Sequence, residues 1–177
     1  MKKNVLIFGS ILGTILCVNM LIMVNWVCQD PEFQGNDFLG YVAMVIVFSL
    51  TFFGILNYRN KQLDGSITIG KAFQTGALIA LVGSTMYVVV WLFYYYLFVP
   101  EFIDKYTLHV MYQAAAEGLS ETKLAAKREE MTQFKEMYQN PLFVVLITYA
   151  EVLPLGLVVA FVGSLILKRK PKTVDAK

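Results

Sequence analysis

The sequence predicts an all-α integral membrane protein with four transmembrane helices and a helical hairpin between the third and the fourth. Hydrophobic residues make up 57% of the 177 positions and charged residues only 16%, whereas soluble domains carry about 25% charged residues. The charges are concentrated in short polar segments between long apolar ones. This distribution predicts a single membrane domain over residues 1–177, without a separate soluble domain.

Four apolar stretches are long enough to cross a bilayer, for which a helix needs about 20 residues. They are residues 5–27, 38–57, 72–99 and 142–167. Lipid offers the backbone no hydrogen bonds, so each stretch is predicted to be helical. The last two are longer than needed, which predicts that they tilt or project beyond the bilayer.

The first stretch follows two lysines, Lys2 and Lys3, as the apolar part of a signal peptide does. Its apolar run continues through Val27, which is too long for a signal peptide. Cys17 follows Leu16, where lipoprotein processing needs a small residue. We therefore expect a retained transmembrane helix.

The distribution of basic residues predicts the orientation. Ten of the fifteen lysines and arginines lie in the segments on one side of a four-span bundle, which are the two termini and the loop between spans two and three. The other five lie in residues 100–140, together with seven acidic residues. The positive-inside rule then places both termini in the cytoplasm and residues 100–140 outside.

Residues 100–140 are predicted to form a helical hairpin. Gly118 interrupts the helical pattern, Ser120 is placed to cap a second helix, and Asn140 precedes Pro141 at the start of the fourth span. An apolar stripe follows one face of the second helix: Leu124, Met131, Phe134 and Tyr138. The hairpin either packs on the bundle or membrane surface, or serves as a lid or docking surface.

Small residues recur every four positions on three of the spans, which places each set on one helical face and lets helices approach closely. The residues predicted to pack in this way are Gly9, Gly13, Gly76, Ala80, Gly156 and Ala160. All lie in the half of their span predicted to be cytoplasmic. The other half carries bulkier side chains, which predicts a bundle that splays toward the outside.

One carboxylate, Glu151, lies within the fourth span. A charged group in hydrocarbon costs several kcal/mol, so we expect it to face the bundle interior. Pro154 is predicted to kink the helix and to loosen the backbone near Glu151. Residues at a similar depth complete a candidate polar cluster: Asn19, Thr85 and Tyr87. This cluster is as consistent with a structural as with a functional role.

Other kinds of site have little support in the sequence. The single histidine, His109, has no clustered cysteine or histidine, so no metal site is expected. No nucleophile motif or nucleotide-binding motif is present, so we expect neither enzyme activity nor a cofactor. The net charge of +2 is too small to indicate a nucleic-acid partner.

Three segments together resemble a known family, a bacterial family catalogued as domain of unknown function 4199. They are "YRNKQLDGSITIGKAFQTG", "YYYLFVPEFIDKY" and "YQNPLFVVLITYAEVLPLGLVVAFVGSLILKRK". The resemblance covers nearly the whole chain. It implies a four-helix protein of the bacterial inner membrane, and it implies no activity and no site residue.

Two functions are compatible with these features. The first is an accessory role, in which the chain binds another membrane protein or a second copy of itself through the small-residue faces or the hairpin. The alternative is a small oligomeric ion-coupled transporter that uses Glu151, although no internal inverted repeat is evident. The sequence favours the accessory role.

Overall fold

A computed structural model of the chain describes residues 1–29 and 37–169. The described residues form seven helices, and the all-α class is confirmed. They are α1 (Lys2–Gln29), α2 (Asp37–Phe48), α3 (Leu50–Gln62), α4 (Ile69–Phe98), α5 (Phe102–Ala116), α6 (Glu121–Met137) and α7 (Pro141–Leu167). Four stretches are long and apolar enough to cross a membrane: α1, Gly40–Gln62, α4 and α7. The chain is thus an all-α membrane protein.

The second span differs from the uninterrupted helix expected from the sequence. It consists of α2 and α3, which are separated by Ser49. The Ser49 hydroxyl donates to the carbonyl of Ile46 at 2.5 Å, and the Ser49 N–H lies 3.0 Å from the Val45 carbonyl and 3.2 Å from that of Ile46. A hydroxyl that bonds the preceding turn competes with the regular backbone ladder and interrupts the helix.

The two ends of the bundle are distinct, and we name them the terminal end and the hairpin end. At the terminal end, the Met1 amine donates to Gln62 Oε1 at 2.6 Å, and Ile67 and Arg169 exchange two backbone hydrogen bonds of 2.9 Å. The hairpin end carries α5 and α6. Both α1 and α4 run from the terminal end to the hairpin end, and α7 runs in the opposite direction.

The central helix is α4, which packs against α1, α3 and α7. Glycines bring α1 close to α4. A Cβ added at Gly9 would lie 2.7 Å from the Cβ of Val82, and one added at Gly13 would lie 3.2 Å from the Cα of Gly83. These separations leave no room for a side chain on α1 at either glycine.

The contact between α4 and α7 is equally close. A Cβ at Gly76 would lie 2.9 Å from the Cβ of Ala160, and one at Gly156 would lie 2.9 Å from the Cβ of Ala80. Ala80 and Ala160 are completely buried. All six small residues singled out in the sequence therefore lie at the interfaces of α4 with α1 and α7.

Helices α5 and α6 form a hairpin that folds back on the bundle. Gly118 lies in the turn with φ +71, a conformation that favours glycine. Asp104 on α5 pairs with Lys135 on α6, and α5 also contacts α1. Asn140 caps α7 by accepting from the N–H of Leu142 at 3.0 Å. The position of the hairpin outside the membrane stays a prediction.

The predicted apolar stripe of α6 faces the bundle. Met131 and Tyr138 are buried, Phe134 packs against the core, and Leu124 is partly buried. The opposite face of α6 is polar and exposed. The hairpin packs on the bundle through α5 and these residues, and a role as a lid or docking surface stays a prediction.

The close approach of α7 to α4 predicts that Gly156→Ala destabilises the protein by about 1–3 kcal/mol, the usual range for overpacking a core. The added methyl group would lie 2.5 Å from Cε1 of Phe48 and 2.9 Å from the Cβ of Ala80. Thermal unfolding in a single detergent measures the effect.

The matched control is Gly40→Ala on α2, where the nearest atom to the added Cβ is 3.9 Å away. This substitution should leave stability unchanged or raise it, because alanine favours a helix more than glycine does. Equal losses from both substitutions would contradict the assignment of Gly156 to a tight contact.

Candidate functional site

Two adjoining cavities lie in the half of the bundle nearest the hairpin. Their volumes are about 190 Å³ and 210 Å³. Five residues line both cavities: Met20, Val24, Tyr87, Tyr106 and Glu151. Because they share these walls, we treat the two cavities as one site and call it the cleft.

Aromatic side chains dominate the first cavity. Phe102 and Tyr106 of α5 are stacked with ring centroids 5.8 Å apart, and Trp91 of α4 meets Phe102 edge-on at 5.0 Å. Six aromatic side chains line this cavity: Tyr87, Trp91, Phe102, Tyr106, Phe134 and Tyr138. The hairpin thus contributes directly to the wall of the cleft.

The second cavity lies between α1, α2, α4 and α7. Asn19 and Met23 line it from α1, and Gly40, Tyr41 and Met44 line it from α2. It brings an amide and a phenol to the same space as Glu151. Helix α2 and Tyr106 of the hairpin therefore both line this cavity.

Glu151 is the acidic residue of the cleft and lines both cavities. Its side chain is exposed, whereas the adjacent Val152 is completely buried in the core. Thr148, one helical turn earlier, lines the first cavity with it. The structure therefore brings Glu151, Asn19 and Tyr87 to the same site, with the carboxylate at the edge of the packed core.

Thr85 does not belong to this site. Its side chain is exposed, donates to the carbonyl of Leu81 at 2.7 Å and accepts from the Tyr149 hydroxyl at 2.8 Å. Thr85 and Tyr87 are two positions apart, which places them on nearly opposite sides of α4. Depth along the spans grouped Thr85 with Glu151, Asn19 and Tyr87, but Thr85 lines neither cavity.

Helix α7 continues through Pro154, three residues after Glu151. Proline has no N–H, so the carbonyl of Ala150 loses its regular partner in the helix. The backbone next to Glu151 is thereby one hydrogen bond weaker than in an ordinary helix. The kink expected at Pro154 stays a prediction.

A buried hydrogen bond joins α4 to the segment between α6 and α7. The indole Nε1 of Trp91 donates to the Tyr138 hydroxyl at 3.0 Å. Burial and the nearby Glu151 carboxylate raise the pKa of Tyr138 to about 12, against the opposing effect of the bond from Trp91. The Tyr138 phenol therefore stays neutral in the folded protein and holds the hairpin against α4.

The sequence pointed to fewer residues than line the cleft. Tyr106 and Tyr138 lie in or beside the hairpin, and the sequence alone does not show how the hairpin folds back on the bundle. Thr148 carried a usable signal, because a residue three positions before Glu151 lies on the same helical face.

Among the described residues, no group of three or more histidine, cysteine, aspartate or glutamate side chains is arranged to hold a metal ion. His109 is buried, and its Nε2 lies 3.0 Å from Nε2 of Gln113 on the same helix. It lies outside the lining of the cleft.

The model of a family described as "Protein of unknown function (DUF4199)" matches residues 6–169 of the chain. No curated protein and no solved structure matches the chain.

The raised pKa of Tyr138 predicts a loss of stability at high pH. A free tyrosine ionises near pH 10 and folded Tyr138 near pH 12, so its contribution is complete below about pH 10 and is lost as the pH rises toward 12. Tyr138→Phe removes this component, and its melting temperature should decline less steeply than that of the wild type over this window.

At neutral pH the same substitution should destabilise the protein by about 1–3 kcal/mol, because it leaves the buried Trp91 N–H without its acceptor. Tyr112→Phe, at an exposed position of α5, is the control. Its melting temperature should match that of the wild type both at neutral pH and between pH 10 and pH 12. Parallel declines for Tyr138→Phe and the wild type would contradict this role of Tyr138.

Proposed function

Since the chain belongs to the family described as Protein of unknown function (DUF4199), which assigns it no activity, we propose a function from the cleft: this multi-pass membrane protein binds a small organic cation at Glu151. The observation that supports the proposal is the convergence of the Glu151 carboxylate and six aromatic side chains on one cavity.

A carboxylate and aromatic rings together favour cations of low charge density. Ring faces attract a cation by about 0.5–1 kcal/mol when exposed and by about 2 kcal/mol or more when desolvated. A carboxylate placed within a membrane span is costly in isolation, and a bound cation reduces that cost. Two adjoining cavities of about 190 Å³ and 210 Å³ suit a quaternary ammonium ion of modest size.

We place the protein in the bacterial inner membrane with both termini in the cytoplasm, following the positive-inside rule. The hairpin and the half of the bundle that contains the cleft then face outward. The small-residue contacts of Gly9, Gly13, Gly76 and Gly156 occupy the opposite half of the bundle. In this arrangement the ligand reaches Glu151 from the outside.

Ion-coupled transport extends this proposal. It requires a second conformation in which the packing of α4 against α1 and α7 opens, and a proton or ligand exchanged at Glu151. The accessory role favoured by the sequence is compatible with ligand binding and stays a prediction.

Binding of radiolabelled tetraethylammonium to the purified protein in nanodiscs tests the proposal. Glu151→Gln should weaken binding about tenfold or more, because it removes the charge that the ligand neutralises. Wild-type binding should weaken as the pH falls, since a proton and the cation compete for one carboxylate.

Two control variants make the result specific. Glu136→Gln removes an exposed carboxylate on α6 and should bind like the wild type. Tyr106→Ala removes a ring that lines both cavities, whereas Tyr112→Ala removes an exposed ring from the same helix. Wild-type affinity in Glu151→Gln, or equal effects of the two tyrosine substitutions, would refute the proposal.

The orientation predicts which sites an impermeant thiol reagent reaches in intact cells. In a chain with Cys17 and Cys28 replaced by alanine, Ser120→Cys in the α5–α6 turn should be labelled from outside. Asn60→Cys, exposed near the end of α3, should be labelled only after lysis. The reverse pattern would show that the termini lie outside.

A further inference from the structure

A third cavity, of about 730 Å³, lies at the terminal end of the bundle, away from the cleft. The loop between α3 and α4 and the end of α7 form its walls. Three cationic side chains line it: Lys71, Lys168 and Arg169. Ser66 and Thr68 add hydroxyl groups, and Asp64 adds one carboxylate. We call this space the basic cavity.

Backbone hydrogen bonds hold the two walls together. Ile67 and Arg169 exchange two bonds of 2.9 Å, and Ile67 is buried. The Arg59 guanidinium donates to the carbonyl of Leu167 at 3.0 Å and so caps the end of α7. Lys168 and Arg169 therefore keep a fixed place beside the start of α4.

The first turn of α4 adds partial positive charge to the same place. Thr68 caps this 30-residue helix by accepting from the N–H of Lys71 at 3.4 Å. The first N–H groups of a helix have no partner within it and favour anions. A Cβ added at Gly70, the second residue of α4, would meet no atom within 4 Å, so this side of the first turn is not packed against other residues.

The depth of the basic cavity matches that of lipid head groups. Two apolar spans end at its walls, since α4 begins at Ile69 and α7 ends at Leu167. Cationic pockets at the ends of transmembrane helices are suited to the phosphate groups of lipids. A phosphate placed here would meet three cations that come from two separate parts of the chain.

We propose that the basic cavity binds a phosphate ester, supplied by the head group of an anionic lipid. Lys71, Lys168 and Arg169 contact its oxygens, and the start of α4 contributes N–H donors. Asp64 opposes the bound charge and limits affinity, so that Asp64→Asn binds the phosphate more tightly. The proposal is independent of the function assigned to the cleft.

Retention of phosphatidylglycerol in phosphatidylcholine nanodiscs, counted by native mass spectrometry, tests the site. Each cation removed should weaken binding about five-fold, from about 1 kcal/mol for each lysine or arginine near an anionic surface. The triple variant Lys71→Gln, Lys168→Gln, Arg169→Gln should therefore lose the lipid. A control triple variant removes the same charge from exposed positions near the same end but outside the basic cavity: Lys2→Gln, Lys3→Gln, Lys61→Gln. This control should retain the lipid.

Equal loss in the two triple variants would overturn the proposal, because general attraction would then explain lipid binding. If the site variant fails to fold, Lys71→Gln alone decides, since removing a cation from the first turn of a helix favours the helix. That variant should remain stable and bind about five-fold more weakly, and unchanged binding would refute the site.

Competition with soluble glycerol phosphate distinguishes a lipid from a free phosphate ester. If glycerol phosphate displaces bound phosphatidylglycerol only at a far higher concentration than the lipid itself requires, the lipid head group is supported as the source. Displacement at a similar concentration would overturn the lipid source.

Discussion

The spacing of α4 from α1 and α7 is set by residues that have no side chain or a single methyl group. At Gly9 and Gly76, an added Cβ would lie 2.7 Å from Val82 and 2.9 Å from Ala160. Hydrophobic burial does not drive helices together within lipid, so close van der Waals contact is what remains to hold them. Helix α3 packs on all three of these helices, since it contacts α1, α4 and α7.

The same helix produces the cleft at its other half. There α4 carries Tyr87, Trp91 and Tyr95, whose rings are buried but too large for the backbones to approach closely. The space between the helices is then filled in part by the hairpin, through Phe102 and Tyr106. Side chains on α4 are thus small in the half of the bundle that packs closely and large in the half that contains the cleft.

Much of the fold could be predicted because lipid leaves the backbone few alternatives to a helix. Apolar length located the spans, and four-residue spacing located the small-residue contacts. The interruption at Ser49 could not be foreseen, since it depends on which acceptor the hydroxyl selects. For the site, depth along each span grouped Glu151 with Asn19 and Tyr87 but could not exclude Thr85, because depth carries no information on direction around the helix. The contribution of Tyr138 and Tyr106 required knowing how α5 and α6 fold back on the bundle.

The pairing of Ile67 with Arg169 has a mechanical consequence. Two backbone hydrogen bonds of 2.9 Å connect the start of α4 to the end of α7. The two helices therefore share a pivot point at the terminal end. Helix α7 has 27 residues and is about 40 Å long at 1.5 Å per residue. A rotation of α7 by about 4° about that pivot point would move its other end, at Pro141, by roughly 3 Å. Glu151 lies 16 residues before the end of α7, about 24 Å along the helix, so the same rotation would displace it by roughly 2 Å.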